Sequence, residues 1–149
     1  MLDPSPDLKL AGLALWIVGR EFEQGVDYWD ANWLYVRARV EMPGACVEAE
    51  GTWLRADELE SFADQLEVAL RDLRGSAELL CMEPHLGVTV KIGTRGDATA
   101  TVDLTPDLIN QSHQFVFDID QSYLAETLAG CQRIISRFPV RGVRPSASI

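Results

Sequence analysis

Glu83-Pro84-His85 places a carboxylate and an imidazole on either side of a residue that stiffens the chain. Such a pair could pass a proton as acid and base, or supply half of a metal site. The plainer expectation is a strand ending in a turn. His113 stands at the start of another strand, and nothing in the sequence brings the two histidines together. Asp118 and Asp120 could offer oxygens to a cation, but no further ligands follow at calcium-loop spacing, and capping of the next helix accounts for Asp120. Cys46, Cys81 and Cys131 form no C-x-x-C, so no metal or cofactor is expected. All three read as small core residues, and their odd number suits a reducing compartment. "RGD" at 95–97 is hairpin-loop chemistry, "NQS" at 110–112 needs export to be glycosylated, and the glycines of "GTRG" precede no helix that could hold a phosphate. No residue emerges as catalytic.

Charge is more informative. The chain of 149 residues carries a formal net charge of −10. That balance disfavours nucleic acid and anionic membranes, which require clustered Lys and Arg, and favours a basic partner. From Glu41 to Glu83 there are eleven Asp and Glu against three Arg, so this stretch carries −8 of the total. Glu48 and Glu50 lie on one face of an expected strand, while Asp57, Glu60, Asp64 and Glu67 recur at three and four along an expected helix and form one ridge. Like charges at that spacing cost roughly 0.2–0.5 kcal/mol per pair. Placement at the helix N-terminus repays Asp57, Glu58 and Glu60, and Glu67 can pair with Arg71. Asp64 has no such compensation, and the ridge is therefore a candidate docking surface as well as a solvated face.

"DYWDANWLYVRARVEM" (27–42) is the second candidate. In a strand, Leu34, Val36, Ala38, Val40 and Met42 point one way, and Trp33, Tyr35, Arg37, Arg39 and Glu41 the other. The second face reads first as a packed layer. It reads second as a protein-binding patch, because Trp, Tyr and Arg are the usual anchors of interfaces.

The elements that must position these residues follow from periodicity. Residues 8–18, apolar almost throughout, predict one strand covered on both faces; "LAGLALWIVG" is too short to span a membrane and follows acidic residues, which argues against a signal peptide. Further strands are expected at 33–42, 45–54, 77–82, 86–92, 97–104 and 113–119. A helix over 56–75 buries Leu59, Phe62, Ala63, Leu66, Ala69, Leu70 and Leu73, begins with an Asp57/Glu60 capping box and stops at Gly75. A second runs to 137 on Leu124, Thr127, Leu128, Cys131, Ile134, Ile135 and Phe138. Shifting the first stripe by 65 lands it on the second, which suggests two related halves. The fold class is α+β, a mostly antiparallel sheet of about seven strands with two helices, in a single domain with an N-terminal arm (1–7) and a mobile C-terminal tail (139–149).

"NWL" (32–34), "TWLRADELESFADQLEVAL" (52–70), "EPHLGVTV" (83–90) and "RFPVR" (137–141) together resemble the WapI-type immunity proteins of polymorphic toxin systems, over roughly residues 10–141. The resemblance implies a cytoplasmic bacterial protein without catalysis, which binds and occludes the C-terminal domain of a cognate toxin. It fixes no set of functional residues. Such toxins are often basic, and Glu48, Glu50, Asp57, Glu60, Asp64 and Glu67 are the candidate contacts, with Trp33, Tyr35, Arg37, Glu83 and His85 behind them. The alternative is a small-molecule-binding or enzymatic domain with a pocket near Glu83 and His85.

Overall fold

The computed structural model describes residues 4–23 and 26–146. Residues 1–3 of the expected arm and 147–149 of the expected tail lie outside the described residues. Eight strands form two antiparallel four-stranded sheets, each in simple sequential order. The first contains β1 (Leu8–Leu10), β2 (Leu13–Arg20), β3 (Trp33–Met42) and β4 (Ala45–Arg55). A one-turn helix α1 (Tyr28–Ala31) interrupts the β2–β3 connection, and helix α2 (Ala56–Asp72) follows β4. The second sheet contains β5 (Gly75–Leu80), β6 (Leu86–Ile92), β7 (Asp97–Leu104) and β8 (Gln114–Asp120), followed by a 3₁₀ turn and helix α3 (Leu124–Arg137). The α+β class and the two halves of similar build are therefore as the periodicity predicts.

Each helix leaves its own half. Helix α2 packs along β5, helix α3 along β1, and the two helices meet each other. One continuous core joins both halves, with Leu13, Leu34 and Val36 of the first sheet, Val90 and Val102 of the second, and Leu66 and Leu124 of the helices fully buried.

Several expectations need correction. Residues 8–18 are two strands, because the chain reverses at Ala11 (φ 51°) and Gly12. The reversal needs glycine there: a Cβ on Gly12 would run into the Glu41 carbonyl oxygen and lie 2.8 Å from the Phe117 ring. Gly12→Ala should therefore destabilise the fold by roughly 1–3 kcal/mol, read as a lower urea midpoint at unchanged slope. Helix α2 is capped two residues earlier than expected, the Arg55 N–H donating to Glu58 Oε1 (2.9 Å) in place of an Asp57/Glu60 box. It stops at Leu73, which takes a left-handed conformation (φ 55°) and is 56% exposed, so Leu73 leaves the buried stripe and Gly75 already opens β5. Cys46 is exposed on β4 and is not a core residue, whereas Cys131 is buried and its thiol is pushed up to about 12 by desolvation. Burial raises Cys81 likewise. A thiol reagent at neutral pH should label Cys46 within minutes and reach the other two only on unfolding, which mass spectrometry of the labelled peptides would show.

Candidate functional site

The outer face of the first sheet is closed by its own charges. Trp16, 7% exposed, lies under the Arg37 and Arg39 guanidinium groups at 4.6 and 5.2 Å, and its indole N–H donates to the Pro4 carbonyl (2.8 Å). Arg37 Nη2 meets Glu48 Oε1 at 2.8 Å, and Arg37 stands directly across from Glu50. Tyr35, half-buried, faces Thr52. Glu48 is thus paired within the sheet and Glu50 stands across from an arginine, while the helix carboxylates stand on a different element.

On α2, Glu60, Asp64 and Glu67 are exposed, and none of them has an ion-pair partner among the described residues. The expected Glu67–Arg71 pair does not form, because Arg71 turns to Asp72 (3.4 Å). Asp57 is different. Its carboxylate takes Arg55 Nε at 3.1 Å and Nη2 at 3.2 Å.

Arg55 is the hub of the region. It is 7% exposed, and it reaches Glu58 Oε2 at 3.5 Å while its guanidinium lies 4.7 Å from the Trp29 ring and 5.5 Å from the Trp33 ring. Nη1 finds no acceptor among the described residues, and the two indole rings supply the remaining favourable contacts of the charge. Glu58, 8% exposed, binds the Arg55 N–H with one oxygen and the Met82 N–H with the other (2.8 Å), which ties the start of α2 to the turn that follows β5. Burial is the main reason its carboxyl is raised from the ordinary glutamate value, against the two N–H donors and the Arg55 charge. Arg144 lies 5.4 Å from Trp29 and helps line a cleft of about 320 Å³ with Arg55, Asp57, Ser61, Gln65 and Glu78.

The structure therefore brings Trp33 together with Asp57, through an arginine that sequence reasoning passed over. Arg55 and Glu58 were legible in one respect: the buried stripe of α2, continued backwards from Leu66 and Phe62 by four, runs onto Glu58. The tail, too, is tied near this region. Asn32, fully buried, exchanges two hydrogen bonds with the Arg141 peptide (2.8 and 3.1 Å).

Glu83 and His85 stand in the turn after β5. The imidazole stacks on Trp53 (5.1 Å, 8° between planes), and Glu83 Oε2 is 3.7 Å from its Nδ1, beyond hydrogen-bonding distance. One face of the ring is thus occupied by the protein's own core, and the neighbouring Met82 is held by Glu58. This is a docked turn joining the two halves.

The family model for the WapI-like immunity proteins matches residues 7–139, most of the chain. The chain belongs to that family. Neither the search of curated proteins nor the search of solved structures found a match. The matched segment runs from the start of β1 to just past α3, so it takes in both sheets, both long helices and the Arg55 hub. In this immunity-family member no helix among the described residues is long and apolar enough to cross a membrane.

Proposed function

We propose that this chain binds the toxic C-terminal domain of a partner protein and blocks it by covering its working surface, in the cytoplasm and without catalysis or a cofactor. Membership of the immunity family across residues 7–139 carries this reading. The partner surface is basic. Glu60, Asp64 and Glu67 project from α2 without internal partners, and exposed carboxylates of this kind raise the encounter rate with a cationic cleft and can occupy positions where that cleft would hold phosphate. Asp57, already held by Arg55, and Glu48, held by Arg37, need no reorganisation to meet a cation, and Glu50 extends the same set.

The test is a calorimetric titration of this chain into the purified C-terminal domain of the protein encoded immediately upstream. Saturable one-to-one binding that weakens as salt rises is the expected result. No heat and no co-migration on gel filtration would refute the pairing.

A further inference from the structure

The four sheet edges are treated differently. At β1, the Thr127 hydroxyl of α3 donates to the Lys9 carbonyl (2.9 Å), and Gly130 lets the helix come down on Leu8. At β5, the Gln65 carboxamide of α2 pairs with both the N–H (3.1 Å) and the C=O (3.3 Å) of Glu78, as a neighbouring strand would. Among the described residues, strands β4 and β8 keep their outer edges unpaired by any strand, and β4, with eleven residues against seven, is the longer.

The direction of the β4 backbone groups follows from its hairpin. Pro43 and Gly44 (φ 87°) form a two-residue turn closed by the Met42–Ala45 pair, which makes that pair the hydrogen-bonded kind. Alternation then makes Glu41–Cys46, Arg39–Glu48 and Arg37–Glu50 the other kind, and the Glu41 N–H indeed points away from β4, to the Gly12 carbonyl (3.0 Å). The N–H and C=O groups of Cys46, Glu48 and Glu50 therefore face the open edge. The register runs without a bulge from Ala45 to Thr52, and no proline or lysine interrupts it. Natural edges usually carry such a block.

Resting on the immunity reading, we propose that β4 accepts a strand of the toxin domain, one with Lys or Arg at alternate positions. Main-chain bonds to Cys46, Glu48 and Glu50 give the affinity, and the two carboxylates select the partner. Each glutamate already stands opposite an arginine of β3, so a cation on the incoming strand continues an alternation of charge across the sheet. A second copy of this chain is disfavoured by the same residues. Antiparallel pairing of β4 with itself about Ala49 sets Glu48 against Glu50.

Amide hydrogen exchange by NMR, on the full chain alone and with the upstream-encoded toxin domain, tests this. In the free chain the Cys46, Glu48 and Glu50 amides should exchange fast and those of Val47 and Ala49 slowly. Binding should slow the first three by at least about tenfold. Glu48→Pro removes an outward donor and spares the β3 ladder; with circular dichroism unchanged, it should weaken binding by roughly tenfold or more, and Glu48→Gln by less. If Glu48→Pro does not fold, the exchange result decides alone. Binding without protection at these amides would overturn the proposal and leave the immunity reading standing. Protection that grows with the chain's own concentration would overturn it in favour of a homodimer. Absence of any binding would overturn the immunity reading and this proposal together.

Discussion

Replacing Glu58 by alanine should cost the fold about 3–5 kcal/mol, the range expected when one partner of a buried ion pair is removed. Three groups lose their acceptor at once: the Arg55 N–H, the Met82 N–H and part of the Arg55 guanidinium. Against a total stability of about 5–15 kcal/mol this is a large fraction, and urea unfolding would measure it directly. Glu58→Gln keeps one acceptor and sets an amide N–H₂ against a donor, so a smaller loss of roughly 1–3 kcal/mol is expected. The pH dependence has a defined sign. Because burial raises the Glu58 carboxyl in the folded state, its protonation favours folding. That contribution is complete below the ordinary glutamate range and is lost as pH rises through the raised value. The gap in stability between wild type and Glu58→Ala should therefore narrow on going up through that window. A gap that widens would mean that the Arg55 charge outweighs desolvation.

Reversing the helix ridge, with Glu60, Asp64 and Glu67 all changed to Lys, should lower affinity for the toxin domain by about 100-fold or more. Loss of electrostatic steering alone accounts for about 10- to 1,000-fold in association rate, and like-charge contact adds to dissociation. Stability should move by less than about 1 kcal/mol, since these side chains are exposed and make no ion pair among the described residues. Stopped-flow association rates at low and high salt separate the two contributions. If the triple variant binds like wild type at low salt, the ridge is a solvated face and the contact lies elsewhere.

The helices were the most legible elements because their stripes are long and regular: Leu59, Phe62 and Leu66 in α2 and Leu124, Cys131 and Ile134 in α3 are all buried. The alternation of β3 was equally plain, with Leu34, Val36, Ala38 and Val40 fully buried. What failed was punctuation. In "LKLAGLAL" the one mark of a hairpin is Gly12, which a bulge in a single long strand would explain equally, and Ala11 in a left-handed conformation carries no compositional mark. The Arg55 hub was hidden for a related reason. A buried charge is recognised by its partners, and those of Arg55 come from α1, β3 and α2, while Glu58 reaches across to Met82 in the turn after β5. Their meeting is a property of the packing. The ridge was legible as spacing, though the failure of Glu67 to pair with Arg71 depended on a rotamer that spacing does not specify.

The central claim is neutralisation, and a cell tests it most directly. The C-terminal domain of the protein encoded immediately upstream is induced in a heterologous bacterium, with this chain or with its Glu60/Asp64/Glu67 lysine variant. Growth should stop when the domain is expressed alone, recover with the wild-type chain, and stop again with the variant. Unrelieved toxicity in the presence of well-expressed wild-type chain would contradict the account.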